Sequence, residues 1–227
     1  PLVVMRSDGG AMDIKAMKDR PVLTMLSGPA AGVAALLMAA GVADGIFLEV
    51  GGTSTDISCV RDGRPEVKPA RIGGHRLYLN TLDVRTVGVA GGSLPRVRSS
   101  AIVGVGPRSA HIANLSYSSF SEQEGPLEVT SFAPLPLDPK EYVAFTSEDE
   151  PVLAITPTCA ANFLGTVADG DYARGHLATV NKAFQALAEY LDIGAKEAAE
   201  HIMEVGVTPM AEVIEELVEE YCLSWER

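Results

Sequence analysis

The spacing of hydrophobic residues changes along the chain from short runs to a helical stripe. After Pro151, apolar residues recur at helical spacing over 176–191 and again over 195–223, where Pro209 predicts either a kink or a new helix capped by Thr208. Before it, apolar runs of strand length are bounded by glycine, proline or polar residues. These runs lie at 2–5, 21–26, 45–50, 56–61, 66–72, 75–80 and 83–89. The pattern therefore predicts strands followed by helices.

One helix is predicted among the strands. Residues 30–40 are almost entirely Ala, Leu, Val and Met, which is typical of a helix that is buried on all sides and lies against a sheet. Ser27 is a candidate N-cap, and Pro29 lies near the first helical position. Gly41 is expected to end this helix.

Amino-acid composition and the hydrophobic pattern divide the chain into three parts. We predict a strand-rich core with phosphate loops at 1–110, an irregular segment rich in Ser and Pro at 111–150, and a helical part at 151–227. We take them as one domain, and as a fragment of a longer protein because the chain has no initiating Met. The predicted fold class is α/β or α+β, depending on whether the helices cover one face of the sheet or both.

Composition and charge narrow the range of partners. Of 227 residues, 47% are hydrophobic and 21% are charged, which suffices for one globular core. A net charge of −12 argues against a nucleic-acid partner, and no apolar stretch is long enough to cross a membrane. The separated Cys59, Cys159 and Cys222 predict buried or idle thiols in a reducing cytoplasm, not disulfides or a zinc site.

Two charged features are interpreted as parts of the protein surface. Arg108 is expected in a surface salt bridge, with a phosphate or carboxylate ligand as the alternative. Acidic residues near the end of the last helix predict a solvated face, with a basic partner surface as the alternative. They are Glu215, Glu216, Glu219 and Glu220.

The segment EVGGTSTD at 49–56 carries the clearest chemistry. It follows a predicted buried strand, and ligands bind at the carboxyl ends of strands in open α/β sheets. Gly51 and Gly52 let the backbone approach a ligand, and their N–H groups suit phosphate oxygens. Glu49 and Asp56 add carboxylates, an arrangement that suits a nucleotide with Mg²⁺. The alternative is a plain hairpin turn, for which Gly-Gly-Thr-Ser is equally suitable.

Two further loops of small residues favour a nucleotide cleft. SGPAAG at 27–32 opens the predicted helix, and the N-terminus of a helix attracts anions. VGVAGGS at 87–93 follows a predicted strand. The clustering of glycine at strand ends, more than its abundance, favours nucleotide binding.

Taken in order, several motifs resemble those of the hydantoinase A/oxoprolinase family. They are SDGG at 7–10, SGPAAG at 27–32, EVGGTSTD at 49–56, the Asp62-Gly63 hairpin, IGG at 72–74, TVGVAGGS at 86–93 and VGPRSA at 105–110. The resemblance covers the first half of the chain most strongly. It implies an α/β fold, namely one ribonuclease-H-like half of an actin-like ATPase, with a mixed sheet and a C-terminal helical layer.

The resemblance also implies a function. Members of the family use ATP to open cyclic amides such as hydantoins or 5-oxoproline by phosphorylating the amide oxygen, or serve as subunits of related carboxylases. It implies ATP and Mg²⁺ as cofactors, a hydantoinase B-type companion subunit or domain, and an isolated fragment that is inactive. Two alternatives stay open, namely an ATP-binding activator module without ring-opening activity and a small-molecule kinase.

Roles for individual residues follow from the resemblance one position at a time. Glu49 and Asp56 would hold the metal and act in catalysis, with Asp83 as a third catalytic residue. Glu49 stands where the family usually has Asp, and Arg85 and His111 also depart from its pattern, which motivates the activator alternative. The residues that would bind the ATP phosphates are Gly51, Gly52, Thr53, Ser54, Thr55, Gly91, Gly92 and Ser93.

Overall fold

The computed structural model describes residues 2–72, 75–147 and 150–224, and these divide into two units. Unit 1 comprises Pro1–Glu49, Asp56–Thr86 and Glu212–Arg227, and unit 2 comprises Val50–Thr55 and Val87–Ala211. Gly73 and Gly74 of the predicted IGG motif lie outside the described residues. Because such a division does not show that a unit folds alone, the three-part, single-domain organisation stays a prediction.

Three small sheets contain the strands that lie wholly or mainly in unit 1. The strands are β1 (Val3–Met5), β2 (Ala11–Asp13), β3 (Gly45–Val50), β4 (Thr55–Arg61), β5 (Arg64–Pro65), β6 (Val67–Ile72), β7 (His75–Leu82) and β8 (Val84–Val87). β1 pairs with β2 and β6 with β7, both antiparallel. In the third sheet, β4 pairs with β3, β5 and β8. The strands therefore follow the predicted runs closely, apart from β2, which no run predicted, and the run at 21–26.

The turn at Asp62 and Gly63 confirms the predicted hairpin. Both residues have positive φ, 52° and 70°, as a two-residue type I′ turn requires. Arg61 lies opposite Arg64 in the register of β4 and β5. The Asp44 carboxylate accepts a 3.0 Å hydrogen bond from the Asp62 N–H. Local turn chemistry thus sets the register of this pair of strands.

The strand predicted at 21–26 is wrong, because Pro21–Thr24 forms a 3₁₀ helix between α1 (Ile14–Asp19) and α2 (Ser27–Ala40). Proline presets the backbone for a first helical turn, and the Thr24 hydroxyl donates a 2.8 Å hydrogen bond to the Pro21 carbonyl. The N-cap assignment is also wrong. Leu26, with φ of 59°, occupies that position and Ser27 is already helical.

Helix α2 packs through one face on the core of unit 1. Its buried residues are Ala30 and Val33, whereas Met38 is 89% exposed. The core cluster consists of Ala30, Val33, Phe47, Val60 and Leu82. The helix therefore lies against strands as predicted, but burial on all sides is wrong for the described residues, since strands cover only one of its faces. Gly41 ends the helix in the left-handed conformation, as predicted.

Unit 2 is built on one mixed six-stranded sheet. Its strands are β9 (Ser93–Arg98), β10 (Ala101–Ser109), β11 (Ser116–Tyr117), β12 (Glu128–Phe132), β13 (Tyr142–Ser147) and β14 (Glu150–Ala154). The order is β10-β9-β13-β14-β11, and β12 also pairs with β13. β11 runs parallel to β14, and the pairs of β13 with its neighbours are antiparallel.

Helices α3 (Pro157–Phe163), α4 (Leu177–Leu191) and the first part of α5 (Ala195–Tyr221) complete unit 2. The predicted helix over 176–191 is confirmed by α4. Its fully buried Phe184 joins the main core cluster together with Phe145 of the sheet and Ile202 of α5. Among the described residues, no helix combines the length and the apolar character needed to cross a bilayer.

Pro209 lies inside α5, so the prediction of a new helix capped by Thr208 is wrong. The Thr208 hydroxyl does not cap a helix start. It donates a 2.9 Å hydrogen bond to the Glu204 carbonyl one turn earlier, a bond that Thr makes within a continuous helix.

Candidate functional site

Two glycine loops in unit 2 are joined by backbone hydrogen bonds, and we call residues 51–54 and 90–93 together the double loop. The N–H of Gly91 donates to the Gly51 carbonyl at 3.1 Å, and that of Gly92 donates to the Gly52 carbonyl at 2.9 Å. The first loop is closed by a 3.0 Å hydrogen bond from the Gly51 N–H to the Ser54 carbonyl. The structure thus brings together residues of both loops that were predicted to bind phosphate.

Glycine is required where the two loops meet. A Cβ at Gly92 would overlap the Tyr117 hydroxyl oxygen and lie 2.6 Å from the Gly52 carbonyl oxygen. A Cβ at Gly91 would lie 2.7 Å from the Thr158 hydroxyl oxygen. Because all these distances are far below ordinary contact, the second loop approaches its neighbours only without side chains.

Hydrogen-bond donors remain available on the first loop. Within the described residues, the amides of Gly52 and Thr53 donate no hydrogen bond, and Gly52 is exposed. The Thr53 hydroxyl lies 2.9 Å from the Ser109 hydroxyl, and either oxygen can be the donor. Free backbone amides on a glycine loop are groups that can bind phosphate oxygens.

The hydroxyls of Thr55 and Ser93 form hydrogen bonds with backbone groups of the same unit. The buried Thr55 hydroxyl donates a 2.6 Å hydrogen bond to the Val89 carbonyl. The buried Ser93 hydroxyl accepts a 2.9 Å hydrogen bond from the Ala90 N–H. Their contacts hold the ends of the double loop in place.

Glu49 belongs to unit 1, where its carboxylate lies against helix α2. A Cβ at Gly32 would overlap Glu49 Oε2 and lie 3.1 Å from its Cδ. The missing side chain of Gly32 therefore makes room for this carboxylate. The glycine at the end of the SGPAAG motif is the sequence signal for this contact.

Asp56 also belongs to unit 1 and is oriented by a neighbouring strand. Its Oδ1 accepts a 2.6 Å hydrogen bond from the Thr86 hydroxyl. Glu49 and Asp56 line one small cavity of about 10 Å³, which has room for a single water molecule. Both predicted metal ligands thus border the same space. In residues 2–72, 75–147 and 150–224, no three His, Cys, Asp or Glu side chains converge on one point.

Asp83, the third predicted catalytic residue, lies in a charged cluster of unit 1. Its Oδ2 accepts a 2.7 Å hydrogen bond from the Tyr221 hydroxyl and lies 3.1 Å from Lys68 Nζ. Arg85 is 3.6 Å from the same oxygen. Its carboxylate is 8% exposed and is surrounded by these partners, so in this structure it fastens β8 to the end of α5. A catalytic role for Asp83 stays a prediction.

The acidic end of α5 supplies the remaining members of the charged cluster. Arg85 pairs with Glu216 at 3.0 Å and with Glu220, and Lys68 pairs with Glu220 at 2.6 Å. Hydrogen bonds from Lys68 and Arg85 lower the pKa of Glu220. Burial and the hydrogen bond to Asp83 raise the pKa of Tyr221. All four acids are exposed, which confirms the predicted solvated face, and Glu216 and Glu220 also pair with basic side chains of the same unit.

The assignments of Arg108 and of the three cysteines agree with the structure. Arg108 forms a bidentate salt bridge with Asp138 through two hydrogen bonds of 2.8 Å. All three cysteines are free, with Cys59 and Cys159 buried and Cys222 exposed. Burial raises the pKa of the Cys59 thiol to about 11.

Sequence reasoning missed three side chains at these sites. Tyr117 and Thr158 contact the double loop from segments that carry no motif, so no local signal marks them. Thr86 is the first residue of the TVGVAGGS motif, so a hydroxyl in this motif was the sequence feature that could have identified the partner of Asp56.

Comparison with known proteins gives one match over the whole chain and several over part of it. The sequence profile of a family described as hydantoinase/oxoprolinase matches residues 1–227. Caprolactamase subunit alpha of Pseudomonas jessenii is 33% identical over 114 residues, which cover 48% of this chain and 16% of that protein. An uncharacterized protein of Schizosaccharomyces pombe is 38% identical over 112 residues, 47% of this chain and 9% of that protein.

A solved structure shares the fold. It is the nucleotide-free structure of acetone carboxylase, a protein studied for the mechanism of ATP-dependent acetone carboxylation. The TM-score is 0.68 at 20% identity, over 96% of this chain and 28% of that one. The likeness confirms the predicted fold class, a mixed-sheet α/β half of the actin-like ATPase type with C-terminal helices. The chain spans less than a third of the length of each of these three proteins.

Proposed function

The chain belongs to the hydantoinase/oxoprolinase family, and we propose on that basis that it is part of an ATP-dependent hydrolase of cyclic amides of the hydantoin or 5-oxoproline type. The proposal also covers the case that the complete protein is a subunit of a related carboxylase. Two relatives support it, namely caprolactamase subunit alpha and acetone carboxylase, whose carboxylation of acetone depends on ATP. Because the chain spans only part of these proteins, the activity is proposed for the complete protein that contains it.

The double loop is the observation that carries the proposal. The amides of Gly52 and Thr53 donate no hydrogen bond within the described residues, and such amides suit phosphate oxygens. We assign phosphate contacts to the first loop, with the hydroxyls of Thr53 and Ser54 as further donors. Gly91 and Gly92 already donate their N–H groups to the first loop, so they support the site by holding that loop in place.

Glu49 and Asp56 fit the metal that accompanies a nucleotide. Mg²⁺ keeps several of its waters and takes only one or two protein carboxylates. Glu49 and Asp56 supply two carboxylates that border one space, and because this space holds a single water, the ion and its other waters would lie on the exposed side of Glu49. We therefore propose that these residues hold Mg²⁺ and a water, and that Asp83 supports them as a positioning residue.

The proposed reaction uses the phosphoryl group of ATP and side-chain and backbone groups of the protein. When bound, ATP would supply the phosphoryl group that activates the amide oxygen and makes the amide carbon electrophilic. The first loop orients the phosphates, and a rigidly held loop favours the reaction by fixing this geometry. The carboxylates of Glu49 and Asp56 hold the attacking water and accept its proton.

A hydantoinase B-type companion and a cytoplasmic location belong to the same proposal. The relative from Pseudomonas jessenii is named as a subunit, which supports a companion chain. The three free cysteines are what a reducing compartment favours.

The test uses the complete protein with its companion subunit. Mg²⁺-dependent ATP hydrolysis and ring opening of hydantoin, 5-oxoproline and caprolactam are measured for the wild type and for Glu49→Gln and Asp56→Asn. Loss of the carboxylates should lower both rates by roughly 10²-fold. Glu215→Gln is the matched control, since Glu215 is an exposed acid of the same unit. Unchanged rates in both site variants would overturn the proposal.

The same assay separates the alternatives. ATP hydrolysis by the wild type without ring opening of any amide supports an activator module. Appearance of a stable phosphorylated substrate supports a kinase.

A further inference from the structure

The hydroxyl group of Tyr117 lies at the double loop. It fills the space that a side chain at Gly92 would occupy, and its oxygen lies 3.9 Å from the position of a Cβ on Gly52. It therefore borders both loops. Within the described residues, this hydroxyl makes no hydrogen bond, although its backbone carbonyl accepts one of 2.9 Å from the Ser121 hydroxyl.

The ring of Tyr117 is held firmly in unit 2. Strand β11, which carries it, pairs with β14 and places Tyr117 opposite Ala154. The ring lies 5.7 Å from that of Phe120 and contacts the two hydrophobic clusters of the unit. A side chain fixed in this way loses little further entropy when its hydroxyl binds a ligand.

The Tyr117 hydroxyl is not among the fully buried atoms that lack a partner in the described residues, so solvent or a ligand can reach it. The polar end of a partly buried Tyr normally finds a hydrogen-bond partner. The nearby Gly52 carbonyl already accepts the Gly92 N–H, and burial raises the pKa of the Tyr117 phenol, which keeps this group protonated. The group is therefore a ready donor beside the free amides of Gly52 and Thr53.

We propose that Tyr117 binds the ligand of the double loop by donating a hydrogen bond from its hydroxyl to a phosphate oxygen. This inference rests on the proposed function, because the phosphate is that of the ATP assigned to the loop. It adds a third kind of donor to the backbone amides and the loop hydroxyls. The donor comes from a segment, residues 116–120, that the motifs do not include.

The experiment measures binding to the complete protein without turnover. Dissociation constants of a non-hydrolysable ATP analogue with Mg²⁺, and of adenosine, are determined by calorimetry for the wild type and Tyr117→Phe. The substitution removes one oxygen and keeps the ring, so the fold should persist, and thermal unfolding checks this. Tyr190→Phe is the matched control, because Tyr190 lies in the same unit and its hydroxyl is 3.0 Å from that of Ser131.

The expected result is specific for the phosphates. Tyr117→Phe should weaken binding of the ATP analogue about tenfold, as loss of a hydrogen bond to a charged group does, and leave adenosine binding unchanged. Tyr190→Phe should change neither. Equal affinity of Tyr117→Phe and wild type for the analogue would overturn this inference alone. If Tyr117→Phe weakens adenosine binding as much as analogue binding and also lowers the unfolding temperature, Tyr117 has a structural role and the proposed phosphate contact is overturned. A wild type that binds no analogue would overturn the proposed function as well.

Discussion

The hydroxyl of Thr86 and the carboxylate of Asp56 are joined by a 2.6 Å hydrogen bond between strands β8 and β4. The bond occupies Oδ1 and so directs Oδ2 of the same carboxylate. A hydroxyl outside the acidic motif therefore sets the orientation of a residue to which we assign metal binding. The charged cluster fixes the same strand through Asp83 and Arg85.

Replacing Thr86 should impair metal binding more than folding. Thr86→Val keeps the shape and removes the donor, so the Asp56 carboxylate gains rotational freedom. We expect the Mg²⁺ concentration for half-maximal ATP hydrolysis to rise about three- to tenfold, which corresponds to one hydrogen bond. Thr86→Ser retains the hydroxyl and should restore the wild-type value. Equal behaviour of the Val and Ser variants would contradict this role.

Helix α2 offers a pair of glycines that separates stability from activity. At Gly32 a Cβ would collide with the flexible end of Glu49, whereas at Gly28 nothing lies within 4 Å. Both Gly→Ala changes favour the helix by at most about 1 kcal/mol. We expect Gly28→Ala to keep full activity and Gly32→Ala to lose activity without a lower unfolding temperature. Full activity of Gly32→Ala would show that the Glu49 position is unimportant.

The salt bridge between Arg108 and Asp138 predicts a pH-dependent part of the stability. The hydrogen bond from Arg108 lowers the pKa of Asp138 in the folded protein. Such a shift stabilises the fold above the unfolded-state value of about 3.9, and the effect is lost as the pH falls through the lower folded value. Asp138→Asn should therefore be less stable than wild type at pH 7 and equally stable at strongly acidic pH in thermal unfolding.

A control for the pH experiment comes from a weaker pair. Asp169 is 94% exposed and lies 3.4 Å from Arg174, so Asp169→Asn should leave the unfolding temperature almost unchanged at every pH. A constant difference between Asp138→Asn and wild type down to pH 2 would argue against the ion pair as its cause.

Thiol labelling should distinguish the cysteines sharply. Burial raises the pKa of Cys59 to about 11, and the reactive species is the thiolate. In native protein at pH 8, iodoacetamide should modify the exposed Cys222 and spare Cys59. Peptide mass spectrometry assigns each site, and labelling after unfolding in urea provides the reference. Modification of Cys59 as fast as Cys222 in the native state would contradict the buried position.

Local patterns predicted those parts of the fold that local forces determine. The Asp62-Gly63 turn, the end of α2 at Gly41 and the amphipathic helix over 176–191 each depend on neighbouring residues. The segment at 21–26 was assigned wrongly because its apolar run suits a strand, while Pro21 and the Thr24 hydroxyl favour a 3₁₀ turn. Apolar runs alone do not distinguish these outcomes.

The candidate site was predictable only as a set of loops. Glycine spacing identified both halves of the double loop, because close backbone approach needs glycine wherever it occurs. The contacts of Tyr117 with Gly92 and of Gly32 with Glu49 join residues distant in sequence. Which segments meet is decided by the packing of the whole fold, and a single sequence carries no record of those pairs.

The close fit of the double loop has a consequence for engineering a new specificity. Since the Gly52 carbonyl and the Tyr117 hydroxyl fill the space beside Gly92, a library that randomises this glycine will mostly yield misfolded variants. Thr53 and Ser54 have room for change because their side chains are partly exposed. Directed evolution towards other ligands should therefore begin at these two positions and leave both glycine pairs untouched.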